Sequence, residues 1–218
     1  MIPYKELKFS ILKYFKKTKI ETELTFTPLI NEHLINNIKK YHSYLEYGSG
    51  ASTVFFSKYK ETNIVSVESD SVFAKAVRNK LNAICENNTK VLTANIGLTG
   101  FWGYPMFNRN SAKKGWKYVN TPWQHLGNEY KPDIVLIDGR YRIACALNIL
   151  YRASNKYAVT IIIDDYVGRE EYSFFEKFCP ISKTIERMAL FEYNKFHINE
   201  EQLRNIEIAL NDYLKKVE

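Results

Sequence analysis

The stretch Leu45-Glu46-Tyr47-Gly48-Ser49-Gly50-Ala51-Ser52-Thr53 decides how this chain folds. An apolar strand runs into two closely spaced glycines, and a helix opens directly behind them. Glycines at such a turn let the backbone bend sharply and approach a ligand, while the helix N-terminus offers free N–H groups to something polar. A dinucleotide fingerprint carries Gly or Ala at its third position. Here Thr53 stands there, and Glu46 already lies inside the turn. A P-loop is excluded as well, because no Gly-Lys-Ser/Thr follows.

Outward from Tyr44, short apolar runs alternate with helical stretches of about ten to fifteen residues, the pattern of βαβ units and a parallel sheet. Strands are predicted at 43–48, 63–68, 90–96, 133–138 and 159–164, and helices at 51–60, 70–86, 142–154 and 169–177. The stretch MALFEYNKFHI (188–198) alternates and turns at Asn194-Lys195, as an antiparallel hairpin ending the sheet would. A charged helix, EEQLRNIEIALNDYLKK, closes the chain. Upstream, the apolar positions of residues 7–14 alternate with lysines as in an amphipathic basic helix. Such a helix covers an edge of the core or lies on a membrane or partner. Pro28 opens a second helix, PLINEHLINNIKKY, since its missing N–H costs nothing in a first turn. Residues 1–40 thus form a helical lead-in, and with no repeat or low-complexity linker, 1–218 is expected to be a single domain.

Composition bounds the function. A chain of 218 residues with 45% hydrophobic and 25% charged side chains has the makeup of an ordinary globular domain. Its longest apolar stretches fall far short of the ~18 residues that span a bilayer. The N-terminal MIPYKELKFSILKYFKK lacks the apolar run of a secretory signal. Cys85, Cys145 and Cys179 are odd in number and far apart, which fits a reducing, cytoplasmic setting and argues against structural zinc. Cys145, within ACALNIL, belongs to a core helix. A formal charge of +7 and a pI near 9.1 favour an anionic partner, whether nucleic acid, membrane surface or acidic substrate, unless the surface is simply basic.

One long segment, 97–131, reads as irregular, with its glycines and prolines and all three tryptophans, Trp102, Trp116 and Trp123. Loops this long are usually functional. The segment is expected to be an aromatic substrate loop or, on the plainer reading, a loop anchored on the sheet by its tryptophans.

The second strand ends in Glu68-Ser69, with Glu68 eighteen residues after Gly50. An acid so placed can accept hydrogen bonds from ribose hydroxyls. With Glu46-Tyr47-Gly48-Ser49-Gly50-Ala51-Ser52-Thr53, this chain resembles the class I S-adenosylmethionine-dependent methyltransferases over residues 40–198. The resemblance implies a Rossmann-like α/β fold: a mostly parallel seven-stranded sheet with an antiparallel C-terminal hairpin and helices on both faces. It also implies that Glu46, Gly48, Ser49, Gly50, Ser52 and Thr53 hold the amino-acid part of S-adenosylmethionine and that Glu68 and Ser69 hold its ribose. Asn95 and Ile96, at the third strand's end, would meet the adenine. Asn95 serves equally well as a turn residue.

The fourth and fifth strands end in Ile137-Asp138-Gly139-Arg140 and Ile162-Ile163-Asp164-Asp165-Tyr166. Carboxyl ends of parallel strands open on one crevice, so the three carboxylates converge and need a cation or a shared proton. Oxygen ligands in this number suit Mg²⁺, Mn²⁺ or Ca²⁺. These motifs are similar to those of the macrocin-type sugar O-methyltransferases. That likeness implies Asp138, Asp164 and Asp165 as metal ligands, Asp138 also touching the cofactor, and a metal-bound sugar hydroxyl as nucleophile. Arg140-Tyr141-Arg142 departs from that pattern, since two guanidiniums can neutralise the cluster without metal. IDGRYRIACAL and NIGLTGFWGYP also resemble a group of small glycan-modifying methyltransferases. Without metal, Asp138 is the general base and Arg142 orients the acceptor, with His125 as the other candidate base.

The expected activity is therefore O-methylation of a sugar or glycan acceptor, with a glycosyltransferase or a membrane surface as possible contacts of the N-terminal helix. A nucleic-acid substrate is the less favoured reading, because the Asp/Asn-Pro-Pro-aromatic motif of base amino-methylating enzymes is absent. A non-catalytic adenosyl-binding module is the third.

Overall fold

The computed structural model describes residues 18–84, 88–97, 111–194 and 196–215. The basic helix expected at 7–14, Cys85, Trp102 and Lys195 lie outside them. The strands are β1 (Ser43–Tyr47), β2 (Asn63–Glu68), β3 (Thr89–Thr93), β4 (Ile134–Ile137), β5 (Val159–Ile163), β6 (Ile181–Ile185) and β7 (Met188–Tyr193). They form one sheet in the order β3-β2-β1-β4-β5-β7-β6. The first five are parallel, and β7 lies antiparallel between β5 and β6.

Both faces of the sheet are covered, which is why its central strands read as continuous apolar runs. Alternate residues still part to opposite sides. Val135, Ile137, Ile161 and Ile163 join one core cluster, while Ile134, Leu136 and Ile162 join another. The second cluster packs under α1 (Pro28–Ile38), whose first turn holds Pro28 and whose N-cap Thr27 accepts from Ile30 N. Next along the chain, α2 (Ala51–Phe56) and α3 (Ser71–Ala83) share that face, with Asp70 capping α3. The opposite face carries α4 (Ser111–Leu126), α5 (Arg142–Ala153) and α6 (Glu200–Lys215).

Three expectations are corrected. The hairpin turns at Glu186-Arg187 between β6 and β7, not at Asn194-Lys195. The stretch expected as a helix at 169–177 is a 3-10 segment, Glu170–Lys177. Residues 111–126 of the supposed irregular segment are helix α4, and 98–110 lie outside the described residues. Gly115 and Pro122 disguised it, since such residues disfavour a helix interior by about 1 and 3 kcal/mol. Packing overrides both. A side chain at Gly115 would meet Leu214 Cδ2 at 2.6 Å, so glycine lets α4 and α6 approach, and Pro122 falls near the helix end.

β1 is the switch point of the sheet. The chain builds outward from it through β2 to β3, then crosses back to β4 on its other side. Connections leaving β1 and β4 part to opposite faces there and open a crevice at the strand ends, where ligands bind in such sheets.

Candidate functional site

The turn after β1 sits against the end of β4. Gly48 has φ +101°, and a Cβ there would lie 2.8 Å from the carbonyl oxygen of Asp138. Only glycine fits that conformation and that approach. Gly50 differs. Its φ of 173° is extended backbone open to any residue, and nothing lies within 4 Å of where a Cβ would be. Among the described residues, nothing occupies the space that Gly50 leaves. It forms a cradle that a side chain would fill, beside the N-terminus of α2, and it fits a ligand that approaches the main chain.

Glu46 is fully buried, and its carboxylate accepts from the hydroxyls of Ser52, Thr53 and Ser66, the last at 3.0 Å. Burial pushes its pKa up and the hydroxyls pull it back. Glu46, Ser52 and Thr53 thus tie the turn to α2 through their side chains, with Thr53 Oγ1 also accepting from Gly50 N at 2.9 Å. Glu68 closes the other side. Its Oε2 accepts from Ser49 N at 3.1 Å, and its Oε1 accepts from Asp70 N at 2.8 Å and from the Ser69 hydroxyl at 3.1 Å. A carboxylate has about four acceptor sites, so roughly one is left for a ribose hydroxyl. Desolvation raises the Glu68 pKa as well.

At the end of β3, Asn95 uses its side-chain oxygen to accept from Gly97 N at 2.8 Å, the turn role foreseen for it. Ile96 is fully buried and offers a ligand only its main chain.

The two described tryptophans do not form a common wall. Trp123 is buried, donates to Tyr130 O at 3.0 Å and carries the Arg152 guanidinium 4.1 Å above its ring, while Trp116 faces out from α4. His125 is displaced from the site too. It lies in the last turn of α4, which leads through Gly127 and Tyr130 into the amino end of β4. Asp138 follows the other end of that strand, about 13 Å along it. His125 is thereby removed as a catalytic base, because its helix runs antiparallel to the strands.

The three aspartates do gather at the ends of β4 and β5, but arginines hold them. Arg187 grips Asp164 with two bonds, Nε to Oδ1 at 2.7 Å and Nη2 to Oδ2 at 3.1 Å. Arg142, 7% exposed, donates to Asp138 Oδ1 at 3.1 Å, to Gly139 O at 3.3 Å and to the carbonyl of Asp164. Asp165 sits 3.4 Å from Arg142, 3.6 Å from Arg169 and 3.3 Å from Arg187. These contacts give the expected metal site no support. Three guanidiniums already supply the opposing charge, and among the described residues no group of acids, histidines and cysteines is arranged to hold an ion. Arg142 is likewise anchored by these partners. Neither Arg169 nor Arg187 was picked out in the sequence.

Asp138 lies just past β4, with its backbone against Gly48. Its carboxyl is raised to about 8, chiefly by burial, then by the Asp164 charge, with Arg142 opposing. Tyr141 and Asp165, one in each of the loops after β4 and β5, hold left-handed conformations at φ 54° and 50°. Non-glycine residues kept there cost about 1–3 kcal/mol and cluster at functional sites.

Beside this cluster a cleft of about 810 Å³ runs from Gly139 and Arg142 to α6. Tyr172, Phe174 and Tyr213 give it an aromatic lining, with Glu170, Glu171 and Asp212 among its polar groups. None of these was foreseen, because they come from a 3-10 segment and a C-terminal helix that the local sequence does not connect.

The chain is similar to a methyltransferase-like protein from Silicibacter pomeroyi, at 31% identity over 88% of this chain and 99% of that one, with a TM-score of 0.73. It shows lower likeness to an O-methyltransferase from Bacillus cereus in complex with SAH (14% identity, 93% and 75% covered, TM-score 0.44). The same holds for a SAM-dependent methyltransferase from Aquifex aeolicus (10%, 74% and 87%, 0.42). No family model and no curated protein matches the chain.

Proposed function

Because this chain belongs to the methyltransferase-like proteins of class I, Rossmann-like fold, we propose that it transfers a methyl group from S-adenosylmethionine to a hydroxyl of a sugar in a glycan or glycoconjugate. The observation that carries this reading is the open space at Gly50 set against the backbone of Asp138 by the close approach of Gly48. Ligand cradle and carboxyl thereby share one crevice.

The bound cofactor would supply an electrophilic methyl group. The chain's own residues position the acceptor and take its proton. Asp138 Oδ1 is held by Arg142, so Oδ2 is the atom that receives the proton from the attacking hydroxyl. A carboxyl raised to about 8 binds that proton far better than an ordinary aspartate, which suits a base working near neutrality. Tyr172, Phe174 and Tyr213 offer faces to the C–H side of a sugar ring, and the neighbouring carboxylates accept from its hydroxyls. A glycosyltransferase is the natural partner of such an activity, since it makes the acceptor.

The test has two stages. Titration calorimetry with S-adenosylhomocysteine should give saturable binding, and transfer of labelled methyl to a panel of glycans should identify an acceptor. Asp138→Ala should then retain binding and lose about 10²-fold or more in turnover, the usual share of a general base. Unchanged turnover in that variant would remove Asp138 from the chemistry, and absence of S-adenosylhomocysteine binding would end the methyltransferase reading.

A further inference from the structure

The formal charge of the chain is unevenly placed. Residues 71–131, which contain α3, β3 and α4, hold nine lysines and arginines against two acids, a surplus of seven equal to that of the whole protein. On the outer side of α4 this surplus meets a cleft of about 650 Å³ lined by Lys113, Trp116, Lys117, Asn120, Gln124 and Asn95. Among the described residues no carboxylate lines it. Residues 113, 116, 117, 120 and 124 recur at helical spacing, while the inner side of the same helix buries Tyr118, Val119 and Trp123 in the core.

Trp116 is 37% exposed although it is the largest side chain type a protein has to bury. Among the described residues neither Lys113 nor Lys117 is paired with a carboxylate. An indole face flanked by ammonium groups and a side-chain amide is what a base, its phosphates and its edge require: stacking from the ring, charge from the lysines and hydrogen bonds from Gln124, since Asn120 already bonds Trp116 O and Arg152. Successive bases of a strand would need several aromatic platforms. Among the described residues this cleft has one, Trp116, which matches a single nucleoside with clustered charge.

We propose that the outer cleft of α4 binds a nucleoside diphosphate, with Trp116 stacking on the base and Lys113 and Lys117 holding the phosphates. The proposal deepens the sugar reading, and rests on it for its purpose: the acceptor sugar arrives attached to a nucleotide. Helix α4 links the two places. Two residues beyond Trp116, Tyr118 points the opposite way, and its hydroxyl accepts from Arg140 N at 3.4 Å, in the turn that follows Asp138. The nucleotide would thus be held on one side of the helix whose other side supports the reacting carboxyl.

The experiment is calorimetry on the full chain with UDP and GDP, repeated with Trp116→Ala and with the double variant Lys113→Glu, Lys117→Glu. Each variant is first checked for an unchanged circular dichroism spectrum and unchanged S-adenosylhomocysteine binding. Saturable binding of either nucleotide, weakened tenfold or more in both variants and not displaced by S-adenosylhomocysteine, supports the cleft. It is overturned by no binding of either nucleotide, by equal binding in parent and variants, or by one-for-one competition with S-adenosylhomocysteine, which would make the nucleotide a visitor to the cofactor cradle. A twelve-residue oligouridylate that binds when both nucleotides do not would also overturn it in favour of a nucleic-acid surface. Since the nucleotide titration needs no methyl transfer, failure of the sugar assay and failure of this proposal are read separately.

Discussion

Arg187, in the turn between β6 and β7, closes on Asp164 at the end of β5 through two parallel bonds of 2.7 and 3.1 Å. Asp164 is 1% exposed, so this guanidinium is the principal answer to a carboxylate that water hardly reaches. The antiparallel pairing of β5 with β7 sets Ile163 opposite Ala189 and so delivers Arg187 to the site. A cation is therefore supplied by the fold itself.

Replacing Arg187 by Ala leaves Asp164 buried and poorly paired. Hydrogen bonds to charged groups contribute about 1.5–3 kcal/mol, and the half-exposed arginine keeps the effect within that range. Urea unfolding should show a loss of about 2–3 kcal/mol, with Arg187→Lys recovering part of it. An unchanged midpoint in Arg187→Ala would show that the pair contributes nothing to stability.

The same pairing predicts that divalent ions are not needed. Calorimetric titration with Mn²⁺ should give no saturable heat, and EDTA should leave S-adenosylhomocysteine affinity within about twofold, since the opposing charge is fixed in three arginines. Saturable Mn²⁺ binding lost in Asp164→Asn would restore the metal reading.

Asp138 gives a pH signature of definite sign. Its carboxyl in the folded chain is raised to about 8, against about 3.9 when unfolded. Between those values the folded chain keeps a proton that the unfolded chain has released, so stability falls as pH rises through the window and levels off above it. Asp138→Asn should remove that slope and gain relative to the parent from about pH 4 to about pH 8. Urea midpoints across this range check it. Turnover should rise to a plateau above about pH 8, a limb belonging to the Asp138–Asp164 pair as a unit and absent from the variant.

The two glycines of the β1 turn should behave oppositely. Gly48→Ala meets both a positive φ and Asp138 backbone at 2.8 Å, so it should destabilise by about 2–4 kcal/mol through strain and overpacking. Gly50→Val meets open space and extended backbone, so thermal unfolding should stay within a few degrees of the parent. Its effect belongs to the cofactor: S-adenosylhomocysteine affinity should fall tenfold or more. Normal affinity in Gly50→Val would mean that the cradle holds something else.

Much of this site was legible locally. The Gly48-Ser49-Gly50 turn, Glu68 eighteen residues later and the aspartates at two strand ends follow from apolar periodicity and from residues that only turns and strand ends favour. Glu46 was legible as part of the turn but not in its role: its three hydroxyl partners, one of them Ser66 on the neighbouring strand, are known only once β1 and β2 pair. His125 was misjudged because sequence distance from a motif says nothing about which end of a helix the motif lies near.

By itself the sequence determined the alternation of strand and helix, the parallel sheet with its antiparallel end, and the crevice at the strand ends, because each depends on side chains a few residues apart. Only the tertiary structure decided that Arg142, Arg169 and Arg187 surround the aspartates, that α4 spans a stretch broken by glycine and proline, and that Tyr172, Phe174 and Tyr213 line the cleft. Those outcomes depend on strand register and helix packing, which join residues far apart in the chain through contacts that no local pattern encodes.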